Sequence, residues 1–306
     1  MRRVLAFYKF TDLTQPEVLR GILENEGKQL SIKGTILLAP EGVNGTIVGE
    51  QEALLSFQQT LTGHFGSLPF KWSDLTRLNP GFYRFKVRVK PEIVSFGVPG
   101  IDPEKTGEHV SPQRWNELLS DPHVVVVDTR NSYEVDIGTF PGAVAPNTTN
   151  FREFPAWVEQ HLNPHEHKQV AMFCTGGIRC EKASALLLAA GFENVYQLDG
   201  GILRYLENVP AVDNQWDGEC FVFDQRVSVN ADLEQGEYEQ CFACRHPLSV
   251  EEMKSPQFEQ GVSCPHCFAG RDKQRLESLR ERQRQVELAA ARGEAHIGQP
   301  TGAARS

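Results

Sequence analysis

Gln169-Val-Ala-Met-Phe-Cys-Thr-Gly-Gly-Ile-Arg-Cys-Glu-Lys182 is the stretch whose reading decides the fold. Gln169 to Phe173 reads as a short buried strand, Cys174 to Arg179 as a loop, and a helix begins near Cys180 and runs as Glu181 to Ala190. In an open α/β sheet such a strand-to-helix turn lies at the carboxyl edge, where sites form. The paired glycines let the backbone wrap with its N–H groups inward, and a nest of this kind backed by a helix N-terminus stabilises an anion. The same field lowers a thiol pKa, so Cys174 is the candidate nucleophile. Thr175, Gly176, Gly177, Ile178 and Arg179 form its anion-cradling loop, and Arg179 adds a fixed positive charge. A lone buried cysteine is more often a small hydrophobe. The order strand, Cys, Gly-Gly, Arg, helix favours chemistry. Cys180 reads equally as a resolving thiol or as a buried helix residue.

Working outward, Val124 to Val127 ending in Asp128 is an apolar run suited to a buried parallel strand. Ser111 and Pro112 open a helix as N-cap and first helical residue. Helices at Phe154 to Leu162 and after Gly201, with a strand at Val195 to Leu198, complete an alternating α/β unit over 108–212. Before it, 91–108 is rich in Pro and Gly and reads as a linker.

The first 92 residues have a different rhythm. Residues 3–10 alternate as a strand, and Thr14 with Glu17 has capping-box spacing. A helix to Gly27 follows, with Val18, Leu19, Ile22 and Leu23 on one face. Ile32 to Ala39 and Thr46 to Val48 form a hairpin about Glu41 to Gly45. Glu50 to Leu61 is helical with Leu54, Leu55 and Phe57 toward the core, and Phe82 to Val89 is the final strand. This βαββαβ order predicts a ferredoxin-like α+β domain over 1–92.

Residues 213–306 form a cysteine-rich segment followed by a charged helical tail. Cys241-x-x-Cys244 and Cys264-x-x-Cys267, nineteen residues apart, have the spacing of a four-thiolate structural zinc site. His246 and His266 lie nearby as bystanders. The whole is thus a multidomain α/β chain of 306 residues. With 40% hydrophobic and 23% charged residues it can build cores without disulfides. No signal peptide or membrane-length apolar run is visible, which predicts a cytoplasmic protein with reduced cysteines.

A net charge of −9 argues against a general basic coat. Arg77, Arg84, Lys86, Arg88 and Lys90 nonetheless crowd together, and residues 84, 86, 88 and 90 share one strand face by the two-residue period. They are the candidate RNA-binding row. The alternative is an ordinary solvated face.

Asp128-Thr-Arg130, Tyr133-Glu134, Gly138-Thr-Phe-Pro-Gly-Ala143 and Leu198-Asp-Gly-Gly-Ile202 resemble the rhodanese pattern. The resemblance implies sulfur carriage as a cysteine persulfide. Four residues separate Cys174 from Arg179, where the related phosphatases have five. Phe140 departs from the usual His-Ile pair before Pro-Gly-Ala and reads as peripheral. With Gly34-Thr-Ile-Leu-Leu-Ala-Pro-Glu-Gly-Val-Asn-Gly45 and Asn147-Thr-Thr-Asn-Phe-Arg-Glu-Phe154, residues 1–270 are similar to the bacterial tRNA uridine hydroxylase (TrhO-like) family. That resemblance implies an oxidoreductase that hydroxylates the wobble uridine at position 34. Molecular oxygen would be co-substrate, the residue matching Cys174 the active thiol, and the anticodon loop the partner. A sulfur donor protein is a further candidate partner. The chain has no flavin, haem or nicotinamide fingerprint, and zinc is redox-inert. A persulfide or sulfenate on Cys174 is therefore the hypothesised active species. Two other readings are a sulfurtransferase and a non-catalytic RNA-binding adaptor.

Overall fold

The structure, a computed structural model, describes residues 2–75 and 81–293. The N-terminal domain contains β1 (Arg2–Phe10), α1 (Pro16–Gln29), β2 (Lys33–Ala39), β3 (Gly42–Glu50), α2 (Gln51–Phe65), β4 (Phe70–Asp74) and β5 (Phe85–Val89). Its sheet has the order β4-β1-β3-β2-β5. The pairs are antiparallel except β2 with β5. Period-two alternation sorts the faces. Leu5, Phe7, Ile36, Leu38, Val43 and Ile47 pack with Leu23, Leu54, Phe57 and Leu61 in one core. Ala6, Tyr8, Thr35, Leu37, Asn44 and Thr46 line a cavity on the other side.

Several sequence expectations are corrected here. The strand that closes the βαββαβ unit is β4, antiparallel to β1. The strand expected at 82–89 is instead a fifth, added at the opposite edge and parallel to β2. β4 is only five residues long, and its Phe-Lys-Trp-Ser-Asp carries just two apolar residues, too few to mark a strand by pattern. The hairpin turns at Pro40 and Glu41, and Asn44-Gly45 lies within β3. Helix α1 starts on Pro16 after Gln15, with no side-chain cap, so the Thr14/Glu17 box does not form. Val18, Ile22 and Leu55 are exposed rather than in the core.

The second domain runs β6 (Glu108–Val110), α3 (Pro112–Ser120), β7 (Val124–Asp128), α4 (Ser132–Val135), β8 (Gly138–Thr139), α5 (Phe154–His161), β9 (Gln169–Phe173), α6 (Ile178–Ala189), β10 (Asn194–Leu198) and α7 (Gly201–Asn208). Its sheet is wholly parallel, in the order β6-β10-β9-β7. Ser111 caps α3 as expected, its side chain accepting from the Arg114 N–H at 3.3 Å. Phe140 is not peripheral: it is fully buried among Trp115, Phe173, Tyr205 and Trp216, with ring centroids 4.8 to 5.7 Å away. Its aromatic bulk fills the centre of the core, which a motif comparison could not reveal.

The connection at 91–108 is not a loose tether. Ile93 and Phe96 are buried, and Phe96 packs with Phe151 and Val170 in the second domain's core. Beyond α7 come β11 (Asp217–Gly218), β12 (Cys220–Phe221) and β13 (Ser228–Val229). Trp216, Cys220, Val222 and Val229 pack into the second domain's core, so its packing extends past the boundary expected at 212. A hairpin of β14 (Glu239–Gln240) and β15 (Pro247–Leu248) then leads to the cysteine cluster. The last helix, α8 (Lys273–Ala291), buries Leu279 and Ala289. Arg282 of α8 donates to the carbonyls of Phe242 and Gly261. Among the described residues, no helix is long and apolar enough to cross a membrane.

Candidate active site

β9 ends on Phe173, and Cys174 begins the loop with only 1% of its surface exposed. The Gly177 N–H points inward and donates to Cys174 Sγ at 3.1 Å. Gly177 has φ of +100°, and a Cβ there would stand 2.9 Å from the Tyr8 hydroxyl of the other domain. Only glycine permits both the conformation and the approach. The turn opening α7 packs beneath: Ile202 N–H donates to Cys174 O at 3.0 Å and Leu203 N–H to Thr175 O at 3.1 Å. A Cβ on Gly201 would come within 2.4 Å of Cys174 O, which accounts for the second Gly-Gly pair.

Burial alone would push the Cys174 thiol up. A hydrogen bond from Cys180, the Arg179 charge and the N–H groups of Arg179 and Gly177 outweigh it and bring the thiol down to about 5. Cys180 moves the opposite way, because burial and its anionic neighbour both favour its thiol form. Cys180 is thus both a buried helix residue and the immediate neighbour of the Cys174 sulfur. Its sulfur also lies 3.7 Å from Thr129 Oγ1.

Arg179 is not a free cation. Its guanidinium makes a two-pronged pair with Glu134, 2.7 Å on each arm, and both side chains are buried. Glu134 also accepts from Asn131 N–H at 3.2 Å and Thr175 Oγ1 at 3.3 Å. Burial raises the Glu134 carboxyl, and the Arg179 guanidinium more than reverses this, so it lies below the ordinary carboxylate range. Below this pair, Asp128 and Arg130 form a second fully buried pair at 2.6 Å.

The residues after the loop explain why Arg-Cys-Glu-Lys is polar yet buried. Glu181 accepts from the Tyr8 hydroxyl at 2.8 Å and from Gln197 Nε2 at 3.1 Å. Lys182 pairs with Glu41 at 2.8 Å and Glu92 at 2.7 Å. Each side chain reaches a partner outside its helix, which offsets its desolvation. Tyr8 and Glu41 belong to the N-terminal domain, so that domain is docked onto the helix of the thiol loop. Arg226, paired with Asp224 at 2.7 Å, adds a bond to Ser73 Oγ at 3.0 Å.

Between the open sheet face and the loop lies a cavity of about 980 Å³. Cys174, Arg179, Tyr8, Lys71, Trp72 and Phe223 are among its lining residues. Sequence reasoning missed Lys71 and Tyr8, and it quoted Glu134 without a role. Lys71 donates to the carbonyls of Gly176 and Gly200, the latter at 2.6 Å. The usable signal was the βαββαβ pattern itself, which requires a strand soon after α2.

The candidate RNA-binding row lies at the margin of the same face. Phe85, Val87 and Val89 turn to the core, leaving Arg84, Lys86, Arg88 and Lys90 opposite. Lys86 pairs in register with Thr35 and Arg88 with Leu37, both cavity-lining residues. Arg84, Arg88 and Lys90 are exposed. Arg77 lies outside the described residues.

The sulfurs of Cys241, Cys244, Cys264 and Cys267 all lie within 4.8 Å of one another, away from Cys174's loop in the chain. Cys264 Sγ is 3.7 Å from both Cys244 Sγ and Cys267 Sγ. A tetrahedron with metal–sulfur bonds of about 2.3 Å has edges of about 3.8 Å, so the donor set fits a tetrahedral soft ion. Each pair sits on a tight knuckle: Arg245 N–H donates to Cys241 O at 2.7 Å and Phe268 N–H to Cys264 O at 2.9 Å. His246 and His266 stack on each other at 3.6 Å, outside the cluster.

Residues 2–93 match the model of the UPF0176 acylphosphatase-like domain, and residues 111–208 match that of the rhodanese-like domain. The chain therefore joins a domain similar to the UPF0176 acylphosphatase-like domain to a rhodanese-like domain. The first match spans β1 to β5, and the second spans β7, β9 and β10 together with the loop that carries Cys174. Among solved structures, a rhodanese-like domain from Anabaena is 20% identical, with TM-score 0.30, covering 36% of this chain and 78% of its own. One from Staphylococcus aureus is 24% identical, with TM-score 0.27, covering 32% and 90%. An acylphosphatase from Bacillus subtilis is 16% identical, with TM-score 0.24, covering 29% and 99%.

Proposed function

We propose that this chain hydroxylates the wobble uridine of tRNA to 5-hydroxyuridine, with Cys174 as the active thiol and molecular oxygen as co-substrate, one oxygen atom entering at C5 and the other leaving as water with two electrons from an external thiol reductant. The observation that carries this reading is the cavity, which sets an anionic sulfur against a sheet face with aromatic and cationic groups around it. A base from a single-stranded loop can unstack at little cost and insert beside such residues. Phe223, which is exposed, offers a ring face, while Arg152 and Arg204 line the same space and suit phosphate. Cys174 supplies the nucleophilic sulfur, and Gly177 N–H and the Arg179 charge hold it ionised near neutral pH. Nucleoside mass spectrometry of tRNA from a deletion strain tests the reading: 5-hydroxyuridine should disappear and return with the wild-type gene. Unchanged 5-hydroxyuridine in the deletion strain would defeat it.

The row Arg84, Lys86, Arg88 and Lys90 extends the cavity face to the domain edge and suits the phosphates flanking the inserted base. Replacing Lys86 and Arg88 by Glu should weaken tRNA binding and lower its salt slope by about 1 to 2. An identical slope, read by binding titrations at several salt concentrations, would remove this strand from the interface.

Zinc is the ion we assign to the four-cysteine cluster, in a structural role. Purified full-length protein should carry close to one zinc, and Cys264→Ser should lose it and loosen the segment around α8. Metal analysis of freshly reduced protein that finds no zinc would refute the assignment. The short loop also favours a second reading, sulfur transfer, because Gly177 N–H already contacts the sulfur at 3.1 Å and four residues separate Cys174 from Arg179. Thiocyanate formation from thiosulfate and cyanide by the purified protein is its direct assay.

A further inference from the structure

The acylphosphatase-like domain touches the thiol loop through Lys71. This residue lies on β4 in register with Ala6, so it projects from the cavity face of the sheet. It is half-buried at the contact, with its ammonium 5.9 Å from the centre of the Tyr8 ring. Its two acceptors are the carbonyl oxygens of Gly176 and Gly200.

Those two carbonyls determine which way the loop faces. Across a trans peptide, the C=O of one residue and the N–H of the next point in opposite directions. With Gly176 O held toward Lys71, the Gly177 N–H turns the other way, and that N–H reaches Cys174 Sγ at 3.1 Å. A Gly-Gly peptide has little stiffness of its own against flipping. The second carbonyl, Gly200 O, belongs to the turn whose following amides hold Cys174 O and Thr175 O. One ammonium thus ties together both turns that bracket the sulfur. A protonated lysine has three N–H donors. The carbonyls use two, which leaves one for the cavity.

We infer that Lys71 is a positioning residue of the Cys174 site: it locks the Gly176–Gly177 peptide with its N–H on the sulfur and offers its third N–H to the group the sulfur carries. The N-terminal domain therefore completes the rhodanese loop. Charge supports the assignment. Burial lowers Lys71 to about 8, with the Cys174 charge pulling the other way, so it remains mostly protonated near neutral pH. The inference rests on Cys174 being the reactive thiol and is independent of the tRNA reading.

The test uses the full-length chain and no RNA. Iodoacetamide alkylation of Cys174 is followed by peptide mass spectrometry across pH in wild type, Lys71→Met, Lys71→Gln and Lys71→Arg. Lys71→Met should raise the midpoint of the profile by about one unit, which is roughly tenfold slower alkylation at pH values below it. Lys71→Arg, which keeps donors and charge, should recover more than half of the shift. Lysine as a mere packing element would leave the midpoint in place, so a folded Lys71→Met protein with a midpoint within about 0.3 units of wild type overturns the inference. Lys71→Gln decides by the same criterion if Lys71→Met fails to fold. Wild-type Cys174 reacting no faster than an unfolded peptide would instead defeat the reading of Cys174 itself.

Discussion

Cys174→Ser should abolish 5-hydroxyuridine in tRNA, to the level of a deletion strain, while leaving the fold and tRNA binding intact. The side chain sits under the loop with almost no exposed surface, and serine fills nearly the same volume there. Gly177 N–H can donate to the new hydroxyl as it does to the sulfur. Only the chemistry changes: an alkoxide is out of reach near neutral pH, whereas the thiolate is the stable form in this cradle. Cys180→Ser should lower the product less, since Cys180 supports the sulfur by hydrogen bonding and its own thiol is held protonated. Nucleoside analysis of tRNA from deletion cells complemented with each variant decides. Wild-type 5-hydroxyuridine with Cys174→Ser would end the cysteine mechanism. Loss of thiosulfate sulfur transfer alone, with tRNA unaffected, would move the assignment to the sulfurtransferase.

Glu134→Ala should destabilise the second domain by about 3–5 kcal/mol, because it leaves the Arg179 guanidinium buried without its partner. The carboxylate also accepts from Asn131 N–H and Thr175 Oγ1, so α4 and the thiol loop lose an anchor together. The pH dependence has a definite sign. Glu134 is held below its ordinary value, so the pair's contribution is complete above the unfolded carboxylate pKa of about 4.3 and is lost as pH falls through the lower, folded value. Urea denaturation of wild type and Glu134→Ala near pH 7 and in acid should therefore show a gap that narrows at low pH. A difference below about 1 kcal/mol near pH 7 would mean that the pair is offset by its own desolvation.

Much of the framework was legible in one dimension, because it rests on local patterning. Four valines before Asp128, the apolar run to Phe173 and the Ser111-Pro112 start each satisfy a short-range rule, and the structure places β7, β9 and α3 there. The same holds for the two Cys-x-x-Cys knuckles, whose spacing pointed to the four sulfurs that the fold brings together. Local rules failed where tertiary packing overrides them. Val18 and Ile22 fit an apolar helix stripe but face solvent, while β4, with its Lys-Trp-Ser-Asp, pairs with β1 and closes the sheet.

What the sequence by itself determined is therefore a glycine loop with Cys174 at its head on a sheet edge, four cysteines spaced as two knuckles, and a basic row on one strand face. Each depends on residues close together in the chain or on a strict two-residue period. What only the tertiary structure decided is how these parts join. Arg179 proves committed to Glu134, forty-five residues away, so the loop's charge cannot be counted from its own sequence. Lys71 and Tyr8 come from a different domain, and a contact 105 or 173 residues apart in the chain leaves no periodic trace in the sequence. The cavity exists because two domains dock through buried polar groups. Whether such groups are satisfied depends on partners that only the folded chain brings within hydrogen-bonding distance.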